Sequence, residues 1–181
     1  MTRSSAVIIS GAVEGLVDEA AVRRLIAHVG AIPGPIYGKQ GKPHLRQHIT
    51  RYNEAARYSH WIVLTDLDAD TVCAPLLRAA WLPAPVSTLC LRVAVRTIET
   101  WFLADRQHFA RFLSVPVERI PHDPEAVDDP KTFMVNLARR SRNRAIREDM
   151  VPRPGSGRSI GPAYASRLIE ICREYRHWMA P

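Results

Sequence analysis

The chain has 181 residues, and its 25 Lys plus Arg against 18 Asp plus Glu give a formal net charge of +7. Residues 1–130 hold 14 basic and 14 acidic side chains while residues 131–181 hold the other 11 and 4, so the whole excess lies at one end. With 46% apolar residues and no repeats, the composition excludes disorder as the main state, and no run approaches the ~20 apolar residues of a membrane span, so a cytoplasmic protein without membrane contact is expected.

Residues 6–11 (AVIISG) form an apolar run ending in glycine, which suits a buried strand. Residues 18–29 place Ala21, Val22, Leu25, Ile26 and Val29 on one face, with Asp18 and Glu19 in the first turn, so a helix with a favourable dipole end is predicted. A second strand over residues 31–37 carries Pro33 and Pro35, which push it toward a sheet edge. A basic, glycine-containing loop at residues 38–43 (GKQGKP) precedes a helix over about residues 44–58. Residues 60–65 (HWIVLT) are the most strand-like run and lead straight into Asp66, Asp68 and Asp70.

A helix over residues 73–81, a turn at 83–86 and a strand over 87–95 complete a βαβαβαβ order. That order implies an α/β, Rossmann-like core over residues 1–95, a mostly parallel sheet of about four strands flanked by helices. Residues 96–181 read as a helical, Arg-rich C-terminal extension packed on that core. It comprises a helix over 96–114, an acidic, proline-containing loop over 116–130, an Arg-studded helix over 131–147 and a last helix over 162–179 opened by Pro162. Cys73, Cys90 and Cys172 are far apart inside apolar patterns and read as reduced core residues.

In a doubly wound sheet the loops leaving the carboxyl ends of the strands converge on one edge. Glu14 follows the first strand, and Asp66, Asp68 and Asp70 follow the third, so four carboxylates are expected at one rim. Such a cluster repels itself unless a cation compensates it, and hard oxygen donors suit Mg²⁺ or Mn²⁺, which can polarise a phosphate and activate a water. The ordinary alternative is that these acids form turns and caps, Asp70 capping the helix that follows. An EF-hand is excluded, because Thr71 and Leu77 stand where that loop needs Gly and Glu.

Val13, Glu14 and Gly15 followed by Asp18 and Glu19, and then LTDLDAD at residues 64–70, resemble the two signature motifs of Toprim domains. More narrowly, the chain resembles an uncharacterised bacterial family of small Toprim-like proteins encoded beside ABC-type ATPases. Residues 96–105 (RTIETWFLAD), Asp129, Pro130 and Lys131, and Gly155 to Gly157 with Gly161 to Tyr164 carry that closer resemblance. It implies Glu14 as metal ligand or general base and Asp66 and Asp68 as metal ligands, with Asp70 beside them. It also implies phosphodiester chemistry and an ABC-type ATPase partner in a bacterial defence setting. No tyrosine is assigned a topoisomerase's covalent role and no primase zinc segment is present, so a hydrolytic nuclease is the nearer subclass.

Glu99 is a candidate for a further metal position, which the resemblance favours over Asp105, and otherwise a surface acid or cap. Lys131, one of only three lysines, is a candidate for stabilising phosphoryl charge, and otherwise a solvated first-turn residue. Lys39 and Lys42 lie in a loop suited to holding a phosphate through backbone N–H groups, although it lacks the P-loop pattern. His44 and His48 share a helical face and read as surface residues. Arg139, Arg140, Arg142, Arg144, Arg147 and Arg158 form a positive stretch suited to the backbone of DNA or RNA, or to an acidic partner surface. The expectation is a Mg²⁺- or Mn²⁺-dependent nuclease. Its rivals are a catalytically silent Toprim-fold module regulating an ATPase partner and a small-molecule phosphatase.

Overall fold

The structure, a computed structural model, describes residues 6–174. The chain divides between Ala94 and Val95 into two compact units, Met1–Ala94 and Val95–Pro181. The first unit runs β1 (Ile8–Val13), α1 (Leu16–His28), β2 (Ile32–Gly38), α2 (Lys42–Ala55), β3 (His60–Asp66), α3 (Ala74–Trp81) and β4 (Leu89–Ala94). Its four strands form one sheet in the order β2-β1-β3-β4, every pair parallel. This is the α/β class expected, a Rossmann-like sheet with flanking helices.

Strand position follows side-chain chemistry. β3, the continuous apolar run, lies between β1 and β4, and Trp61, Val63, Leu64 and Thr65 along it are buried. β2 stands at the edge, where prolines cost the fewest ladder bonds. Its register with β1 slips by one residue between the Ile9–Pro33 and Gly11–Ile36 pairs, a bulge that takes up Gly34 and Pro35. Tyr37 of β2, Trp61 of β3 and Tyr52 of α2 stack in series, ring centroids 5.5 and 5.6 Å apart, and fasten that helix to the sheet.

β1 extends beyond the expected stop at Gly11 to Val13, so Glu14 lies directly past the strand. Chain order moves from β1 outward to β2 and then back across β1 to β3. The order of strands therefore reverses between β1 and β3, the place where open parallel sheets leave a crevice at their carboxyl edge.

The second unit is helical: α4 (Ile98–Ala104), α5 (Arg106–Leu113), short 3₁₀ turns at Val117–Arg119 and Pro124–Ala126, α6 (Pro130–Arg139), α7 (Arg144–Met150) and α8 (Tyr164–Glu174). Phe102, Phe109, Leu113, Met134, Ile146, Met150 and Leu168 are buried among these elements. Two expected helices are each broken in two by a polar cap. The helix expected over 96–114 stops at Asp105, whose carboxylate accepts the His108 N–H at 3.1 Å and starts α5. The helix expected over 131–147 stops at Arg139. The Ser141 hydroxyl then donates to the Asn143 carbonyl and accepts the Asn143 N–H, and the Asn143 side chain accepts the Ala145 N–H at 2.9 Å to start α7. The end of the last expected helix, beyond residue 174, lies outside the described residues.

The bend after β2 depends on Gly38, at φ +83°, where a Cβ would stand 2.3 Å from the Val13 carbonyl oxygen. Backbone cannot yield as a side-chain tip can. Gly38→Ala is expected to lower unfolding free energy by more than about 2 kcal/mol, combining a left-handed penalty with the clash. Urea denaturation followed by circular dichroism checks it, and an unchanged midpoint would contradict the geometry.

Candidate functional site at the carboxyl edge of the sheet

Glu14 is fixed from β3. Its Oε1 accepts the Asp66 backbone N–H at 2.9 Å and the Thr65 hydroxyl. Thr65 is fully buried, a polar residue in an otherwise apolar run, and its hydroxyl is satisfied by this carboxylate. Among the described residues both hydrogen bonds accepted by the Glu14 carboxylate end on the same oxygen. The tie joins the two strands that flank the crevice.

The segment after Asp66 is shaped by Leu67. That side chain is buried, and its N–H donates to the Ala94 carbonyl at 2.8 Å, holding the loop against the end of β4. With Leu67 turned inward, Asp68 in a left-handed conformation (φ +51°) and the Asp70 N–H on the Leu67 carbonyl at 3.3 Å, the carboxylates of Asp68 and Asp70 face solvent. Asp70 does not cap α3, whose first turn has no side-chain cap.

The loop after β2 meets the same edge. The Lys39 N–H donates to the Val13 carbonyl at 2.8 Å and the Gly41 N–H to the Glu14 carbonyl at 3.0 Å. Two of the N–H groups read as a phosphate cradle are therefore spent on stitching the loop to β1. Lys39 pairs with Glu19 at 3.0 Å, and Arg23 reaches the same carboxylate at 2.8 Å. Burial works against the Glu19 charge, but hydrogen bonds from Lys39 and Arg23 outweigh it and hold its pKa below the usual glutamate value.

Lys42 opens α2 and places its ammonium 2.9 Å from Asp68 Oδ2, 2.9 Å from Asp70 Oδ2 and 3.3 Å from the Leu67 carbonyl. Partial burial works against its charge, yet the bonds to Asp70 and Asp68 prevail and raise its pKa above the ordinary lysine value. The rim thus carries an internal cation, which the sequence reading had assigned to phosphate contact alone.

For a divalent ion the donors fit in kind, since carboxylate oxygens are the ligands Mg²⁺ and Mn²⁺ take. In spacing they are not assembled: among the described residues no three His, Cys, Asp or Glu side chains gather closely enough to hold a metal. Glu14 and Asp66 adjoin at one end of the rim, and Asp68 and Asp70 converge on Lys42 at the other.

Glu99 and Lys131 belong to the second unit. Glu99, in the first turn of α4, is only 5% exposed, and its Oε1 lies 3.4 Å from the Tyr164 hydroxyl and 3.8 Å from the Lys131 ammonium. The Tyr164 hydroxyl also lies 3.3 Å from Met134 Sδ. Burial, followed by the Glu99 charge, raises the Tyr164 pKa far above the tyrosine range, so this hydroxyl stays protonated and donates. Tyr164 is the group sequence reasoning missed here; its signal was the Gly161 to Tyr164 motif. Gly161 admits the close approach, because a Cβ there would stand 2.3 Å from the Asp149 carbonyl oxygen.

The arginine stretch is divided in use. Arg144 pairs with Glu148 at 2.7 Å and Arg147 donates to the Ser141 carbonyl, whereas Arg139, Arg140, Arg142 and Arg158 are exposed and make no side-chain ion pair among the described residues. His44 and His48 are half-buried, their rings stacked 4.2 Å apart. Cys73, Cys90 and Cys172 are free thiols. Among the described residues no helix is long and apolar enough to cross a membrane. No family model, curated protein or solved structure matches the chain.

Lys131 owes its place to Asp129, whose carboxylate accepts the Thr132 N–H at 3.0 Å and caps α6 ahead of Pro130. Hydrogen bonding from the Thr132 side chain, and after it from the Thr132 backbone N–H, holds the Asp129 pKa below the ordinary 3.8. The contribution is therefore complete above about pH 4 and is lost as pH falls through the folded value. Asp129→Ala is expected to cost about 1 kcal/mol at neutral pH, a difference that shrinks toward about pH 3. Denaturation curves of both proteins at the two pH values check the magnitude and the sign.

Proposed function

We propose that the first unit is a Toprim-like catalytic domain that hydrolyses phosphodiester bonds of DNA or RNA with Mg²⁺ or Mn²⁺, in the cytoplasm and alongside an ABC-type ATPase. The observation that carries this reading is the placement of Glu14, Asp66, Asp68 and Asp70 at the carboxyl ends of β1 and β3, the two strands between which the sheet order reverses. A chain that spends four acids at that edge suits a ligand bringing positive charge.

Glu14, Asp66 and Asp68 would hold the ion, with Asp70 beside them, and once bound it supplies Lewis-acid polarisation of the phosphate. The chain's own groups divide the remaining work. Glu14 is oriented through Oε1 by Thr65 and Asp66, which leaves Oε2 to accept a proton from an attacking water. Lys39 and Lys42 bring cationic charge to the rim, where an incoming phosphate needs compensation.

In the second unit, Arg139, Arg140, Arg142 and Arg158 suit the phosphates of a nucleic-acid backbone, because they are exposed, make no side-chain ion pair among the described residues, and guanidinium groups that neutralise phosphates release the nucleic acid's counterions. Lys131 joins them as a half-exposed ammonium whose partner, Glu99, stands at 3.8 Å. Glu99 itself, hydrogen-bonded to Tyr164 and nearly buried, suits a positioning role within this unit as well as a metal position.

One observation favours a second reading. The ion pairs of Lys42 with Asp68 and Asp70 offset one of the two negative charges at that end of the rim without a metal, which suits a catalytically silent interaction module. Its basic residues would then face an acidic surface of the ATPase partner.

Purified protein incubated with plasmid and with RNA in Mn²⁺ separates the two. Glu14→Gln and Asp66→Asn are each expected to reduce cleavage by at least about a hundredfold while leaving folding intact. Cleavage that persists in both variants excludes the assignment. Fluorescence anisotropy over a salt series addresses the basic stretch: replacing Arg139, Arg140 and Arg142 by Ala should flatten the log affinity against log salt slope by up to about 0.9 per lost contact. A protein that binds nucleic acid with an unchanged slope does not use these residues.

A further inference from the structure

Lys42 is an unusual opening residue for α2. Helix N-termini favour acids, whereas the first turn of α2 contains none and begins with a lysine. The local dipole disfavours that ammonium, so what retains it must come from elsewhere in the unit. All three of its N–H donors have an acceptor: Asp68 Oδ2 at 2.9 Å, Asp70 Oδ2 at 2.9 Å and the Leu67 carbonyl at 3.3 Å. The side chain is only 15% exposed, and its backbone is placed by the Gly41 N–H on the Glu14 carbonyl. Lys42 is therefore seated between two carboxylates by both ends.

We propose that Lys42 is a built-in competitor of the divalent cation, occupying Asp68 and Asp70 so that metal binds the rim only when the ammonium withdraws. This deepens the metal-dependent reading above and rests on it. Two physical constraints support it. Asp68 Oδ2 and Asp70 Oδ2 each already hold the ammonium at 2.9 Å, and a Mg²⁺ ligand must approach to about 2.1 Å with the metal on the oxygen's own lone pair. A +2 ion beside a retained +1 ammonium also meets direct repulsion within a few ångströms. Lys42 thereby accounts for the dispersal of the four acids. It draws Asp68 and Asp70 together at one end, while Thr65 and the Asp66 N–H hold Glu14 at the other.

The test measures metal binding without substrate. Mn²⁺ binding to the full chain is followed by electron paramagnetic resonance of free Mn²⁺ for the wild type, Lys42→Met and Lys42→Arg, with circular dichroism confirming each fold. Lys42→Met is expected to bind Mn²⁺ at least about tenfold more tightly than wild type, because a like charge has been removed from the site. The added affinity should vanish when Asp68→Asn is combined with it. Lys42→Arg, which keeps the charge, should stay near the wild-type affinity. If Lys42→Met does not fold, Lys42→Gln removes the charge while retaining a hydrogen-bond donor, and the same tightening is expected.

A neutral variant that binds Mn²⁺ no more tightly than wild type, including the case in which neither binds, overturns the proposal. Failure here is distinct from failure of the nuclease reading. Cleavage that depends on Glu14 and Asp66 with unchanged Mn²⁺ affinity in Lys42→Met removes only the competitor role. Tightened Mn²⁺ binding without any cleavage keeps the competitor and removes the nuclease.

Discussion

Like charges delivered to one place need compensation, and parallel strands deliver whatever follows them to the same edge. In the first unit that edge receives Glu14 from β1 and Asp66, Asp68 and Asp70 from β3 and its loop. The surrounding structure answers the resulting repulsion with a peptide N–H and a buried hydroxyl on Glu14, and with an ammonium between Asp68 and Asp70. Even the loop geometry serves it. Leu67 and the Ala94 carbonyl hold the chain so that successive acids turn outward, and Gly38 folds the lysine-bearing loop back against Val13.

The order of elements in the first unit was legible because each is announced by a local pattern: apolar runs for the strands, period-3.6 stripes for the helices and proline for the edge. The acids of the rim were legible for the same reason, since Glu14 directly follows β1 and Asp66 ends β3. Lys42 was found but its partners were not. They lie 26 and 28 positions further along, and no local rule relates an ammonium in one loop to carboxylates in another. Thr65 carried a readable signal, a hydroxyl in a strand that is otherwise apolar and central, although its acceptor required the fold.

In the second unit the errors share one cause. Periodicity across residues 96–114 and 131–147 is helical throughout, but Asp105, Ser141 and Asn143 have short polar side chains that bond nearby backbone as well as any helix does. Asp105 and Asn143 each open a new helix where the apolar pattern alone shows none, with the Ser141 hydroxyl bracing the Asn143 backbone. The same chemistry starts α6, where Asp129 accepts the Thr132 N–H and the following Pro130 keeps the helix from continuing upstream. The cluster of Glu99, Tyr164 and Met134 joins three helices far apart in sequence, so only its members, and not their meeting, were visible beforehand.

The outer margin of the sheet has a consequence of its own. Ile32 of β2 turns its N–H inward to the Val7 carbonyl, so the next position along the strand turns outward, and that position is Pro33. A residue without an N–H therefore stands where an approaching extended chain would seek its first donor. Just beyond, the bulge that takes up Gly34 and Pro35 breaks the spacing such a chain would need to follow. β2 is a poor template for further strands, and its own chemistry guards this margin of the sheet against edge-to-edge growth.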